Sequence, residues 1–273
     1  MPAVETILFV SAVFFLAGFV KGVIGLGLPT VSLALLAATI GLKPAVAVLI
    51  LPALATNAIQ AVTGGSFLEI VRRTWAFILV AFVCTWLGAG ILAGSASPAF
   101  AALLGLVTAT YAGISLATPQ IVMPKNWESV LSPSLGCVAG FLTGLTGTFV
   151  VPGVMYLQSL GFSRNKLIQA MGILFASSSI ALGVSLGGHD LISGNLAILS
   201  AIALIPAFFG MYIGFKISNR LNDRQFRRIF LVSLLILGIY IMVRSLNANL
   251  TTMITELLFL AQSMGSHHLT LAV

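Results

Sequence analysis

AGFVKGVIGLGLP, residues 17–29, is the stretch on which the reading of the chain turns. Its glycines Gly18, Gly22, Gly25 and Gly27, closed by Pro29, interrupt an otherwise long apolar run. In water such a composition weakens a helix; in lipid it lets backbones approach closely. A related stretch, AGFLTGLTGTFVVP, returns at residues 139–152. Glycine-rich breaks at corresponding places in two halves of one chain point to the binding site of a secondary transporter built from internal repeats.

Composition fixes the class around that reading. The chain is 59% apolar and only 7% charged, against roughly 25% charged residues in soluble domains. Apolar runs long enough to cross a bilayer recur too often for a single anchor, so the chain is expected to be a polytopic, all-α membrane protein. The first residues hold Glu5 and no basic residue before the apolar run, which predicts a retained first helix rather than a signal peptide. Cys84 and Cys137 lie inside apolar segments and are expected to be buried small hydrophobes, with neither a disulfide nor a metal site. A net charge of +7 invites a nucleic-acid reading, but the basic residues fall in loops between spans, where the positive-inside rule accounts for them.

In order, the candidate segments are residues 5–22 and 29–42 on either side of the first break, then 44–63, 74–93 and 98–118. A polar linker with two prolines follows. After it come 129–146 and 150–162 around the second break, then 164–187, 194–215 and 227–245. The segments after each break are too short to cross the membrane comfortably and read as returning arms of hairpins. Irregular backbone at a hairpin tip is tolerable at membrane depth only where protein buries it or it lines a wet cavity, so two tips imply one shared central site. The expected architecture is two inverted repeats, each a glycine-broken helical hairpin plus three transmembrane helices. The first repeat is 1–118, a cytoplasmic linker 119–128, the second repeat 129–246, and an amphipathic tail 247–273.

Loop charges support the inversion. With the N-terminus outside, the cytoplasmic loops hold ten basic residues (Arg72, Arg73, Lys125, Arg164, Lys166, Lys216, Arg220, Arg224, Arg227 and Arg228) and the outer loops only Lys43 and Arg244. The neutral GSASP loop at 94–98 corresponds to the loop carrying Lys216 to Arg228, and homologous loops of opposite charge lie on opposite sides.

All six carboxylates fall in loops, at segment ends or in the tail, which disfavours the carboxylate-based sites of proton and cation transporters. What the interior offers is hydroxyls, amides, glycine backbone and Lys21, groups that hydrogen-bond an anion without repelling it. Lys21 lies one turn before Gly25; it either pairs with substrate or snorkels to the headgroups. Thr56 and Asn57, near Pro52, and the corresponding Ser177 and Ser178 either ligate substrate or bond a neighbouring helix. Gln60 is expected to serve packing. Thr146 and Thr148 flank Gly147 in the second break and carry the same two readings. Gly25, Gly27 and Gly147 bring backbone N–H donors closest to a bound anion, whereas Gly105, in mid-segment, is expected to accept a valine more readily.

The paired breaks, the short arms after them, and the TNAIQ (56–60) and SSSIA (177–181) stretches resemble the TauE/SafE family of sulfite and organosulfur anion exporters. The likeness covers nearly the whole chain up to the tail. It implies export of sulfite, sulfoacetate or a related small sulfur-containing anion across the inner membrane, without a cofactor and without catalytic residues. An anion channel is the alternative, since a fold that binds an anion centrally can also leak. An intramembrane serine enzyme would need a facing histidine, yet the only histidines are His189, His267 and His268, in a loop and the tail. The expected partners are a small anionic substrate and the lipid bilayer; a homodimer is compatible with the sequence.

Overall fold

A computed structural model describes residues 3–248 apart from 96, 118–122, 150–151, 190, 219–224 and 226. The expected tail from 249 onward, and with it Glu256, lies outside the described residues, as do Asp190, Arg220, Asp223 and Arg224.

The described residues form ten helices: α1 Val4–Ile24, α2 Leu28–Ile40, α3 Leu42–Val62, α4 Phe67–Gly94, α5 Ala99–Ala117, α6 Lys125–Thr146, α7 Gly153–Ser159, α8 Arg164–Gly187, α9 Gly194–Ser218 and α10 Arg227–Ala248. All but α2 and α7 are long and apolar enough to cross a membrane, eight in number. This is a multi-pass helical protein. The helix α6 begins at Lys125, inside the expected linker, because Pro124 in extended conformation marks its start. The arm expected over 150–162 contains only the seven-residue α7.

Both breaks stop a helix in the same way. Gly25 (φ 87°) ends α1 and donates its N–H to Lys21 O at 2.7 Å; Gly147 (φ 74°) ends α6 and donates to Thr143 O at 2.7 Å. Glycine adopts this left-handed conformation without steric cost, and the bond satisfies a carbonyl that the ended helix leaves unpaired. Gly27 (φ 113°) then starts α2, with Pro29 in the first turn, where its missing N–H costs nothing.

The main pairings are α1 with α9, α4 with α6, and α3 with α8 in the middle, flanked by α3–α9 and α4–α8 contacts. Exchanging α1–α4 for α6–α9 in order returns this same set. Two seams of small residues create the closest approaches. A Cβ on Gly18 would lie 2.1 Å from Ala207 O, and one on Gly140 would lie 2.2 Å from Ala81 O. Gly22 lies against Gly214, and Gly144 against Gly88, in the same relation. Between apolar helices in lipid there is no hydrophobic driving force, so backbone-to-backbone packing of this kind must hold the pairs together.

The central α3 carries Pro52, which has no N–H to give to Val48 O. Ser200 of α9 takes its place: its hydroxyl donates to Val48 O at 2.8 Å and accepts from Leu51 N at 3.3 Å. Outward faces remain apolar, with Trp75, Trp86, Phe209 and Ile236 exposed where lipid would cover them.

Two expectations fail here. Gly105 is not a spacious mid-helix position: its Cβ would lie 2.6 Å from Gly238 O, at a tight crossing of α5 on α10. Nor are the cysteines both buried; Cys137 is exposed and Cys84 half-buried. They sit side by side as free thiols, Sγ to Sγ 3.2 Å, because the glycine seam of α4 and α6 turns this neighbouring face outward.

Gly18→Val and Gly140→Val should each lower the unfolding temperature of detergent-purified protein, by a cost at or above the about 1–3 kcal/mol of ordinary overpacking, since backbone cannot swing aside. Gly113→Val, whose Cβ would meet nothing within 4 Å, should leave it nearly unchanged.

Candidate functional site

Lys21 is 3% exposed and does not extend toward solvent. Its ammonium donates to Thr56 Oγ1 at 3.1 Å and to Asn57 Oδ1. Thr56 in turn donates to Pro52 O at 2.7 Å, which orients its oxygen to accept from the lysine. Asn57 is fully buried, and with its Oδ1 engaged its Nδ2 has no hydrogen-bond partner. Among the described residues no carboxylate pairs with Lys21. Glu69 is bound to Lys166 (2.7 Å), Glu128 to Arg73 (2.8 Å), and Glu5 stands in the first turn of α1.

The result is a site made of donors. A lysine ammonium has three N–H bonds and no acceptor, and a carboxamide nitrogen brings two more. A buried donor left unpaired costs about 1–3 kcal/mol, and a buried charge without a counter-charge costs more. An oxyanion in the cavity beside Lys21 Nζ would supply the missing counter-charge, whereas Asn57 does not line that cavity.

Lys21 and Thr56 line a cavity of about 650 Å³ between α1, α3, α8 and α9. At about 30 Å³ per water this is room for on the order of twenty waters, enough for a hydrated approach. Gly25, Gln60, Arg164 and Asn165 also line it, and Phe208, Met211, Tyr212 and Phe215 of α9 form an apolar wall. The cavity opens at the end of the bundle where α4, α8 and α10 begin and α9 finishes. Arg72, Arg73, Lys166, Lys216, Arg227 and Arg228 sit at that end, whereas Lys43 and Arg244 sit at the other.

The remaining candidate residues are not gathered there. Gly27 faces Val20 and Phe230, and Gly147 faces Val46 and Leu33, so an added Cβ at either would press on side chains rather than on the cavity. Thr146 donates to Leu142 O at 2.7 Å and accepts from Thr148 N at 3.3 Å, while the Thr148 hydroxyl is buried without a partner. Ser177 bonds its own helix at Leu174 O (2.8 Å). Ser178 lies with Thr143 in a separate narrow cleft.

Arg164 and Asn165, not among the expected site residues, stand in the first turn of α8 and line the cavity. Gln60 serves packing as expected, its Nε2 donating to Gly25 O at 2.9 Å and to Ile168 O at 2.8 Å, and its side chain also lines the cavity. This one amide ties the first break to α8. Among the described residues no cluster of histidine, cysteine or carboxylate is arranged to hold a metal.

A family model described as Sulfite exporter TauE/SafE matches residues 10–241 of the 273. The chain belongs to the TauE/SafE family. Membership makes this TauE/SafE protein a membrane transporter rather than an enzyme, working on a small anion in a lipid environment. The matched span takes in both breaks, the Lys21 site and the first two thirds of α10, and stops short of the tail. No curated protein and no solved structure matches the chain.

Gln60→Leu should release the carbonyl of Gly25 and detach the first break from α8. The expected loss of stability is about 1–3 kcal/mol, read from thermal unfolding in detergent, since a buried acceptor loses its partner.

Proposed function

We propose that this TauE/SafE protein is a secondary carrier that exports sulfite or a small sulfonate such as sulfoacetate across the inner membrane, binding it at Lys21, Thr56 and Asn57. The observation that carries the reading is the buried ammonium of Lys21, which has hydroxyl and amide neighbours but no carboxylate among the described residues, at the edge of a cavity wide enough for a hydrated anion. Sulfite and sulfonates present several acceptor oxygens on one sulfur and suit a cluster of diverging donors. Gly25, Gly27 and the second break around Thr146, Gly147 and Thr148 are read as the elements that interrupt α1 and α6 so that backbone and side chain can reach membrane depth.

The reading includes two inverted repeats, 1–118 and 129–246. It is supported by the matched glycine seams, by the identical way in which Gly25 and Gly147 end their helices, and by the pairing of helices that survives exchange of the halves. The basic end of the bundle is assigned to the cytoplasm by the positive-inside rule, so the cavity opens inward. A carrier is favoured over a channel because the counterpart cleft in the second half, around Thr143 and Ser178, is too narrow to hold water. The structure then corresponds to one access state.

Sulfite should raise the melting temperature of the purified protein, as any ligand of the native state does. Lys21→Ala should abolish that rise and transport while leaving membrane insertion intact; an unchanged rise in this variant would overturn the site. For sidedness, a cysteine replacing Ser95 should react with an impermeant thiol reagent in intact cells and one replacing Gln225 should not. The reverse pattern would overturn the orientation.

A further inference from the structure

Building on the anion site proposed at Lys21, we infer that the cleft lined by Thr143 and Ser178 is a second anion station, closed in this state, which opens at the other end of the bundle and holds the anion more weakly because it has no cation.

The glycine seams fix how the halves correspond: Gly18 against Ala207 is repeated as Gly140 against Ala81, and Gly22 against Gly214 as Gly144 against Gly88. The same correspondence carries Lys21, three residues after Gly18, to Thr143, three residues after Gly140. Alignment of TNAIQ with SSSIA carries Asn57 to Ser178. In the first half Lys21 and Asn57 are hydrogen-bonded to each other across α1 and α3. In the second, Thr143 of α6 and Ser178 of α8 line one cleft together, with Phe149 and Gly153 of the second break closing over it. Nothing in the linear sequence places Thr143 beside Ser178; the fold brings them together where exchange of the halves requires.

Two hydroxyl residues line an otherwise apolar cleft. Thr143 and Ser178 are 4% and 2% exposed, and the adjoining Thr148 hydroxyl is buried with no partner. Thr143 donates to Thr148 O at 3.0 Å, a bond that pins the second break down over the cleft. Lifting residues 147–149 would free the Thr143 and Thr148 hydroxyls and the N–H groups of the break as anion donors. In this state the cleft is too narrow for water, while the Lys21 cavity stands open at the basic end. An open cavity at one end with the corresponding region of the other half shut fits alternating access, in which one repeat rocks against the other.

The two stations differ in charge. Lys21 offers a charge-assisted bond and Thr143 does not, a kind of bond roughly twice as strong as a neutral one. The anion is therefore captured tightly at the basic end and released readily at the other. This asymmetry leaves the final equilibrium untouched, since a binding difference between two states drives no net transport, but it sets which side saturates first.

The test is uptake and counterflow of sulfite in oriented proteoliposomes, with the half-saturating concentration measured from each side. The wild type should saturate at a concentration about tenfold or more lower at the basic end, the ratio expected from a difference of about 1.4 kcal/mol. Thr143→Lys should narrow that ratio, and Thr143→Val should raise the opposite-side value more than the basic-side one. As a readout independent of transport, a cysteine replacing Ser178, in a chain whose Cys84 and Cys137 are alanine, should react with an impermeant reagent from the opposite side alone. Equal half-saturation from both sides, or reaction of that cysteine from the basic side only, would overturn the second station. If Lys21→Ala transports like wild type, the fault lies instead with the primary site.

Discussion

The structure depends on the close approach of backbone to backbone along two glycine seams. In water, apolar helices would be driven together whatever their surface; in lipid they are not, and a pair holds only where small residues let the axes come near. Gly18, Gly22 and Gly214 do this for α1 on α9, and Gly140, Gly144 and Gly88 for α6 on α4. One seam joins α1 to α9 and the other joins α6 to α4, so helices far apart in the chain hold one another. The central pair α3 and α8 is enclosed by them, and it is the most buried of the spans, at 61% each.

That arrangement makes an interior site possible. A helix that stops inside the membrane exposes carbonyls and N–H groups that lipid cannot satisfy. Gly25 and Gly147 turn the chain back at once, and Gln60 reaches across to the Gly25 carbonyl, so the first break is tied down as well as turned. With the break secured, Lys21 one turn before it is buried against Thr56 and Asn57. A buried cation with only hydroxyl and amide neighbours, and no carboxylate among the described residues, is a costly arrangement for folding alone, and that cost is the physical reason for reading it as an anion site.

Much was legible beforehand because hydropathy and glycine placement act locally. The spans of α3, α8 and α10, the caps at Gly25 and Gly147, and the shared positions of the two breaks all follow from residues near one another in the chain. The errors came where a residue's surroundings are supplied from far away. Gly105 looked spacious until α10 crossed it at Gly238, and Cys137 looked buried until the α4 and α6 seam turned it outward.

The sequence by itself determined a helical, multi-pass membrane protein, the positions of its breaks, the distribution of its loop charges and the confinement of its carboxylates to loops, segment ends and the tail. These are properties of short windows, in which a residue's cost in lipid or in a helix is nearly independent of what packs against it. Only the tertiary structure decided that Lys21 meets Asn57, that Thr143 and Ser178 share a cleft, and that Gly27 and Gly147 face side chains rather than the cavity. Those outcomes depend on the rotation and depth of each helix against its neighbours. That rotation is set by contacts summed over the whole bundle, which no local pattern encodes.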